Sequence, residues 1–440
     1  MGTEILAILM FPAIAVGIFL GFPVFVVLMG VSLWVGLIGW GSPIMDQMAS
    51  AALWVLMNDA LPAVPLFVFM GCMMERAGIA ERSFHVLQVL FGPVRGSVAL
   101  ATLALCTLFA AATGVVGAPV TVMGLLALPV MLRRGYDIPM ATGTILAGGT
   151  LGILIPPSIM LVLYGPLANV SVARLYAAAI IPGLILSGLY MGYVAVRCAI
   201  NPKMGPPLPP EERAMPKLQL FYALVVDMVP FFLIILAVLG SIVFGLAAPT
   251  EAAAVGAVCG MLLAAAHRQL NLKNLKDAVY DTMMASAFVL TITVGANIFT
   301  GAFLALGGGQ LITDFLFWLP VGRYGVLAVI LLIIFIMGFF VDWIAILLIF
   351  IPIFAPIVPK LGFDPLWFAL LVCICLQTAF LTPPFATSIF YLKGVAPPEV
   401  KLMDIYKGVI PYIALQLIGL TLCIIFPQVV LWLPTLAYGK

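Results

Sequence analysis

The chain has 440 residues, of which 65% are hydrophobic and 8% charged, with a mean hydropathy of +1.26. Soluble domains hold about 45–50% apolar and about 25% charged residues, so too few charges are present to cover a water-facing surface. Nineteen basic against 17 acidic residues leave a net charge of +2, without the basic stripe that nucleic-acid binding requires. The expectation is an all-α polytopic membrane protein that is not an enzyme.

Met1-Gly2-Thr3-Glu4 lacks the basic start of a cleaved signal peptide, so the first apolar run is read as a retained membrane helix. A crossing needs about 20 apolar residues to span ~30 Å of hydrocarbon. Runs of that kind lie near 5–20, 23–40, 61–77, 174–198, 230–247, 250–266, 282–304 and 408–430. Residues 97–132 and 324–359 are too long for one crossing and tight for two. They are interrupted by Gly and Pro around 112–119 and by Gly338 and Asp342, and each predicts a re-entrant hairpin. Residues 139–168 and 365–392 carry Pro156-Pro157 and Pro383-Pro384 at their centres. Paired prolines remove two backbone donors and push the preceding residue out of helical geometry, so each run predicts a crossing helix unwound at mid-depth. Such backbone must be buried in protein or line a wet cavity.

Residues 79–93 and 306–320 are too short and mixed to cross and predict interfacial arm helices. Trp40, Trp54, Trp318, Trp367 and Trp432 read as interface anchors. The seven cysteines form no CxxC pair, and Cys373-x-Cys375 reads as small packing residues rather than a metal site.

The polar, proline-rich stretch 201–217 divides the chain into residues 1–200 and 218–440. The two sides repeat at a fixed offset of 227: Pro93 with Pro320, Pro129 with Pro356, Gly135-Tyr136-Asp137 with Gly362-Phe363-Asp364, Pro156-Pro157 with Pro383-Pro384, and Tyr164 with Tyr391. Each half holds five crossings and one hairpin, and an odd number inverts the second half relative to the first. Placing the N-terminus outside puts 15 basic residues inside and leaves Arg174, Arg323, Lys360 and Lys440 outside, the asymmetry that the positive-inside rule demands. The linker 201–217 then lies in the cytoplasm.

Inverted repeats with helices broken at mid-membrane are the pattern of secondary transporters. No GxxxxGK[ST] motif supports an ATPase, and no HExxH motif supports a membrane protease. The run 148–159 (GGTLGILIPPSI), closing with Tyr164-Gly165, resembles the large membrane subunit of tripartite ATP-independent periplasmic (TRAP) transporters, the DctM-like proteins. So do Arg134-Gly135-Tyr136-Asp137, Pro249-Thr250-Glu251-Ala252-Ala253 and Thr382-Pro383-Pro384. The resemblance covers essentially the whole chain.

It implies an elevator-type, ion-coupled fold in the bacterial inner membrane, with the N-terminus periplasmic. It also implies sodium as coupling ion with no other cofactor, an organic-anion substrate, a small four-helix membrane subunit and a periplasmic binding protein as partners, and membrane lipid around it. By position, one cation site lies between Thr113, Gly114 and Gly117 and the segment Ile155-Pro156-Pro157-Ser158. The other joins Gly338 and Asp342 to Thr382-Pro383-Pro384. Thr113, Ser158, Asp342 and Thr382 are the sodium ligand candidates. The tip sequence Ala-Thr-Gly-Val-Val-Gly, where many relatives are serine-rich, and Phe385-Ala386 after the second proline pair imply a rather apolar substrate pocket. A stand-alone carboxylate symporter of the same fold and a non-transporting scaffold subunit are the alternatives.

Two readings of Asp342 stand together: an intramembrane functional carboxylate and a cap on the second half-helix of its hairpin. Glu251, after Pro-Thr at an apparent helix start, reads as a cap. Asp137 and Asp364, in matching turns, read as turn and cap residues, and Glu75 and Asp227 as interfacial.

Overall fold

Lipid offers the backbone no hydrogen-bond partner, so a spanning chain must satisfy its own amides. Every element among the described residues is accordingly a helix. The structure, a computed structural model, describes residues 2–213, 216–383 and 386–439.

Six described helices are long and apolar enough to cross a membrane: Gly2–Phe19, Val172–Ile200, Leu218–Val243, Pro249–Ala266, Leu272–Ala305 and Leu402–Ile425. The other four expected crossings are shorter or broken. Val24–Gly39 has 16 residues and Ala63–Arg76 has 14. The two proline-pair runs split into Ile138–Thr150 with Ile159–Ala168, and Pro365–Ala379 with Thr387–Val395. The helix Pro43–Met57, before Ala63–Arg76, was not legible as a separate element. Its end has a local cause. Asn58 is extended at ψ 119, its side chain accepts from Ala60 N–H at 3.0 Å, and Pro62 cannot continue the ladder. The residues 227 further on, 285–289, read Ala-Ser-Ala-Phe-Val, and there the helix Leu272–Ala305 runs unbroken for 34 residues.

The helix bounds recur near the same offset. The first hairpin pairs Ser97–Thr113 with Gly117–Arg133, and the second pairs Gly322–Met337 with Trp343–Phe354 and the short Ile357–Lys360. The arm Ile79–Phe91 leaves the preceding helix at a bend of 63°, and Gly308–Trp318 holds the matching place. Asp137 and Asp364 cap their helices as expected. The first accepts from Met140 N–H at 3.0 Å, the second from the N–H groups of Leu366 and Trp367 at 2.7 and 3.2 Å. Glu251 reaches back to Ala248 N–H at 2.8 Å, half of a capping box.

Two packing groups result. Ala63–Arg76 packs along Pro249–Ala266 and Leu272–Ala305, and Val24–Gly39 packs along Leu272–Ala305. The third helix of each half therefore belongs with the first two. Hairpins, broken helices and the fifth helices form the other group, which meets the first where Trp343–Phe354 packs along Leu272–Ala305. Within this second group Ile138–Thr150 lies along Leu402–Ile425 so closely that a Cβ on Gly143 would sit 2.1 Å from the Gly408 carbonyl oxygen. The next turn is tied by Thr144 and Tyr412, whose hydroxyls are 2.7 Å apart.

One expectation is corrected. Trp367 is no interface anchor: it is 3% exposed, and its indole N–H donates to the Cys423 carbonyl at 2.8 Å, the pairing that permits an indole to be buried. Within the linker, residues 204–212 are tied to the first hairpin. Gly205 O accepts from Gly96 N–H at 2.8 Å, Met204 O from Asp137 N–H at 3.1 Å and Pro206 O from the Tyr136 hydroxyl at 3.0 Å. Arg134 pairs with Glu212. The segment is docked across the mouth of the first hairpin.

The close helix crossing gives a test. Gly143→Ala and Gly408→Ala must each force backbone apart, and overpacking of this kind costs about 1–3 kcal/mol. Thermal unfolding in detergent should show both variants destabilised. Gly188→Ala, with nothing within 4 Å of the added atom, should match the parent protein.

Candidate ion and substrate site

The first hairpin turns at Gly114, whose φ of +62° lies in the left-handed region that favours glycine. The turn presses against the broken helix. A Cβ on Gly114 would lie 3.1 Å from the Pro157 carbonyl oxygen, and one on Gly152 would lie 2.7 Å from the Val115 carbonyl oxygen. The broken segment leaves Ile138–Thr150 through a single 3-10 turn, Leu151–Ile153, passes a cis Pro156-Pro157 bond, and resumes at Ile159. Among the described residues, the carbonyl groups of 154–157 accept no hydrogen bond. Buried backbone oxygens of this kind are costly unless a cation or water meets them.

The hydroxyls beside them are positioned by their own donations. Thr113 donates to the Phe109 carbonyl at 3.1 Å and Ser158 to the Ile153 carbonyl. A hydroxyl that gives its proton to a carbonyl keeps its lone pairs, so both oxygens remain capable of meeting a cation. Gly117 starts the second arm of the hairpin, and a Cβ there would lie 3.2 Å from the Tyr391 ring of the other half. Ile155 turns its side chain toward Gly183 of Val172–Ile200, leaving only its carbonyl for the site.

In the second half, Asp342 ends the turn after Gly338 and caps Trp343–Phe354, accepting from Ile344 N–H at 3.2 Å. The tip rests on the end of Pro365–Ala379. A Cβ on Gly338 would lie 2.7 Å from the Ala379 Cβ, and the Trp343 and Phe380 rings are 6.2 Å apart. Asp342 shares a small hollow with Val341, Trp343, Ala379, Phe380 and Thr387. Thr382 is not in that lining; its hydroxyl turns back to the Thr378 carbonyl at 2.6 Å. Pro383 lies within the described residues and Pro384 outside them.

Three features were missed in the sequence. Ser388 donates to the Phe380 carbonyl, the equivalent at offset 227 of the Ile153 carbonyl that Ser158 holds. The two serines do not themselves align at that offset, so the repeat could not reveal them. Second, Gln377 Nε2 donates to Thr150 Oγ1 at 3.3 Å, both residues are fully buried, and their numbers differ by 227. Third, Glu75 is only half-buried at the end of Ala63–Arg76. It faces a hollow with Cys106, Phe109, Thr113 and Pro119 beside the first tip. Its neighbour Arg76 pairs with Asp281 at 2.5 Å. A lone acid near a membrane edge carried no sequence signal for that contact.

The halves also interlock. The second arm of the first hairpin packs on Thr387–Val395, and that of the second hairpin packs on Ile159–Ala168.

Two hairpin tips set against two broken apolar helices define a polytopic membrane transporter fold. Solved structures agree: the Alcanivorax borkumensis YdaH transporter superposes with a TM-score of 0.54 at 17% identity, covering 89% of each chain. Neisseria gonorrhoeae MtrF does so with a TM-score of 0.59 at 15% identity, covering 90% of this chain and 85% of the other. The family described as "Tripartite ATP-independent periplasmic transporter, DctM component" matches residues 11–429, and the chain belongs to it. The isethionate TRAP transporter permease protein DctMQ of Oleidesulfovibrio alaskensis is 31% identical over 88% of this chain and 60% of its own length. The ectoine/5-hydroxyectoine large permease protein UehC of Ruegeria pomeroyi is 30% identical over 87% of both. The C4-dicarboxylate large permease protein DctM of Vibrio cholerae is 30% identical over 86% of both.

Asparagine caps a helix as well as aspartate does, whereas alanine loses the cap at about 0.5–2 kcal/mol. Asp342→Ala should therefore lower the thermal unfolding midpoint in detergent, and Asp342→Asn should restore it.

Proposed function

We propose that the chain is the translocating large subunit of a sodium-coupled importer for small organic anions, working with a small membrane subunit and a periplasmic binding protein. Its halves, residues 1–200 and 218–440, are inverted repeats joined by a cytoplasmic linker, with the N-terminus periplasmic. The hairpin-bearing group moves past the scaffold group in an elevator-like cycle.

One observation carries this reading: a hairpin tip held against a proline-broken helix whose carbonyls at 154–157 lack partners among the described residues. Those oxygens, with Thr113 and Ser158, offer a cation the shell that water supplies outside. Asp342, with Thr387 in the same hollow, offers the second. The pairing of Thr150 with Gln377 supports a two-fold relation between the halves, because residues equivalent by symmetry meet only near the axis. The second arms of both hairpins begin at the tips, at Gly117 and Trp343. Helix starts carry partial positive charge, which suits a carboxylate held between them. Relatives named for isethionate, ectoine and C4-dicarboxylates support a small, charged organic substrate.

Uptake into proteoliposomes holding this chain and its two partners should require an inward sodium gradient. Uptake that continues without sodium and follows an imposed pH gradient rejects that coupling. Replacing Pro156-Pro157 by alanines favours a continuous helix by about 3 kcal/mol per proline. The variant should insert normally and lose sodium-dependent uptake, whereas parental uptake would remove the unwound segment from the mechanism. Lys203→Cys, in the exposed part of the linker, should react with an impermeant thiol reagent only from the cytoplasm.

A further inference from the structure

Away from the hairpins, a groove of about 690 Å³ opens between the arm Ile79–Phe91 and the helices Leu218–Val243 and Pro249–Ala266. Its walls are Val225, Val226, Val229 and Leu263, and its rim carries Arg82, His267 and Arg268. The walls come from the first turns of one membrane-length helix and the last turn of the next. The groove therefore lies at one membrane boundary, with apolar surface below and cationic groups above.

Two of the rim groups are held by backbone carbonyls. Arg82 donates to the carbonyls of Ala77 and Gly78 at 3.1 and 3.3 Å, which fixes its guanidinium on the arm. His267 Nδ1 lies 2.9 Å from the Leu263 carbonyl oxygen. A carbonyl only accepts, so that nitrogen carries the hydrogen and Nε2 is left for the groove.

Arg268 is the informative residue. It sits just past the end of Pro249–Ala266 at φ +58°, where the chain closes with Gln269 N–H on Ala264 O at 2.8 Å. Helices that end this way place glycine there, since other side chains are strained in the left-handed region. Basic residues at a helix C-terminus do complement the dipole. That accounts for a positive charge in the last turn and leaves unexplained its placement at a strained position over an open apolar groove. The opposite wall is also irregular: Leu224–Met228 forms a π turn, a distortion that recurs at functional sites.

We infer that this groove binds the headgroup of an anionic phospholipid, with the phosphate against Arg268 and the upper acyl chains along Val225, Val226 and Val229. Basic pockets over apolar walls at a membrane boundary are the chemistry that selects anionic over zwitterionic lipid. A free phosphate would use the cations and leave the valine wall uncovered.

The experiment uses the full chain, delipidated in detergent, with thermal unfolding and native mass spectrometry as readouts. Phosphatidylglycerol should raise the unfolding midpoint and remain bound in the gas phase, while phosphatidylcholine does neither. Arg268→Gly should erase the difference between the two lipids while its lipid-free midpoint stays at or above that of the parent, because the strain is relieved. Arg268→Lys should keep most of the difference. Equal effects of the two lipids on the parent protein, or a preference that survives Arg268→Gly, would overturn the assignment. So would glycerol phosphate reproducing the shift, which would make this a site for free anions. Phosphatidylglycerol displaced whenever the small membrane subunit is co-purified would give the groove to that subunit instead.

Discussion

The backbone amide in lipid is the constraint on which the rest of this structure depends. Every unpaired carbonyl at membrane depth costs several kcal/mol, yet residues 154–157 present four in succession. They persist because protein encloses them. The tip of the first hairpin lies on the broken segment at Gly114 and Val115, Ser158 holds the Ile153 carbonyl, and Tyr176 reaches the Ser158 carbonyl at 3.4 Å. The hairpin is thus a cover for exposed backbone.

Enclosure couples the two halves. Each hairpin sends its second arm onto the half-helix of the opposite repeat, and Ile138–Thr150 is clamped to Leu402–Ile425 by contact of bare backbones at Gly143 and Gly408. With lipid as apolar as any side chain, helices in membranes associate through such close approach and through hydrogen bonds such as that between Thr144 and Tyr412. The hairpin-bearing group is held tightly within itself. It meets the other group where Trp343–Phe354 packs along Leu272–Ala305, where Gly71 lies against Thr113 and where the Thr300 hydroxyl donates to the Leu348 carbonyl at 3.3 Å. Glu75 lies on that boundary, beside Thr113 of the first tip.

Much of this was legible in the sequence because lipid simplifies the code. Apolar run length marked the membrane-length helices, paired prolines marked the unwinding points, and Asp137, Asp364 and Glu251 marked helix starts, since each signal acts within a few residues of itself. The offset of 227 placed matching breaks in matching positions before any contact was known. Only the tertiary structure decided what those breaks touch. It set Gly117 against Tyr391, put Thr387 in the hollow beside Asp342, buried Trp367, docked residues 204–213 on a hairpin mouth, and brought Thr150 to Gln377. These depend on side chains approaching from distant elements, and in an almost uniformly apolar chain no local pattern records which helix face meets which neighbour. The sequence determined where the backbone must break; packing between the halves decided which oxygens surround each break.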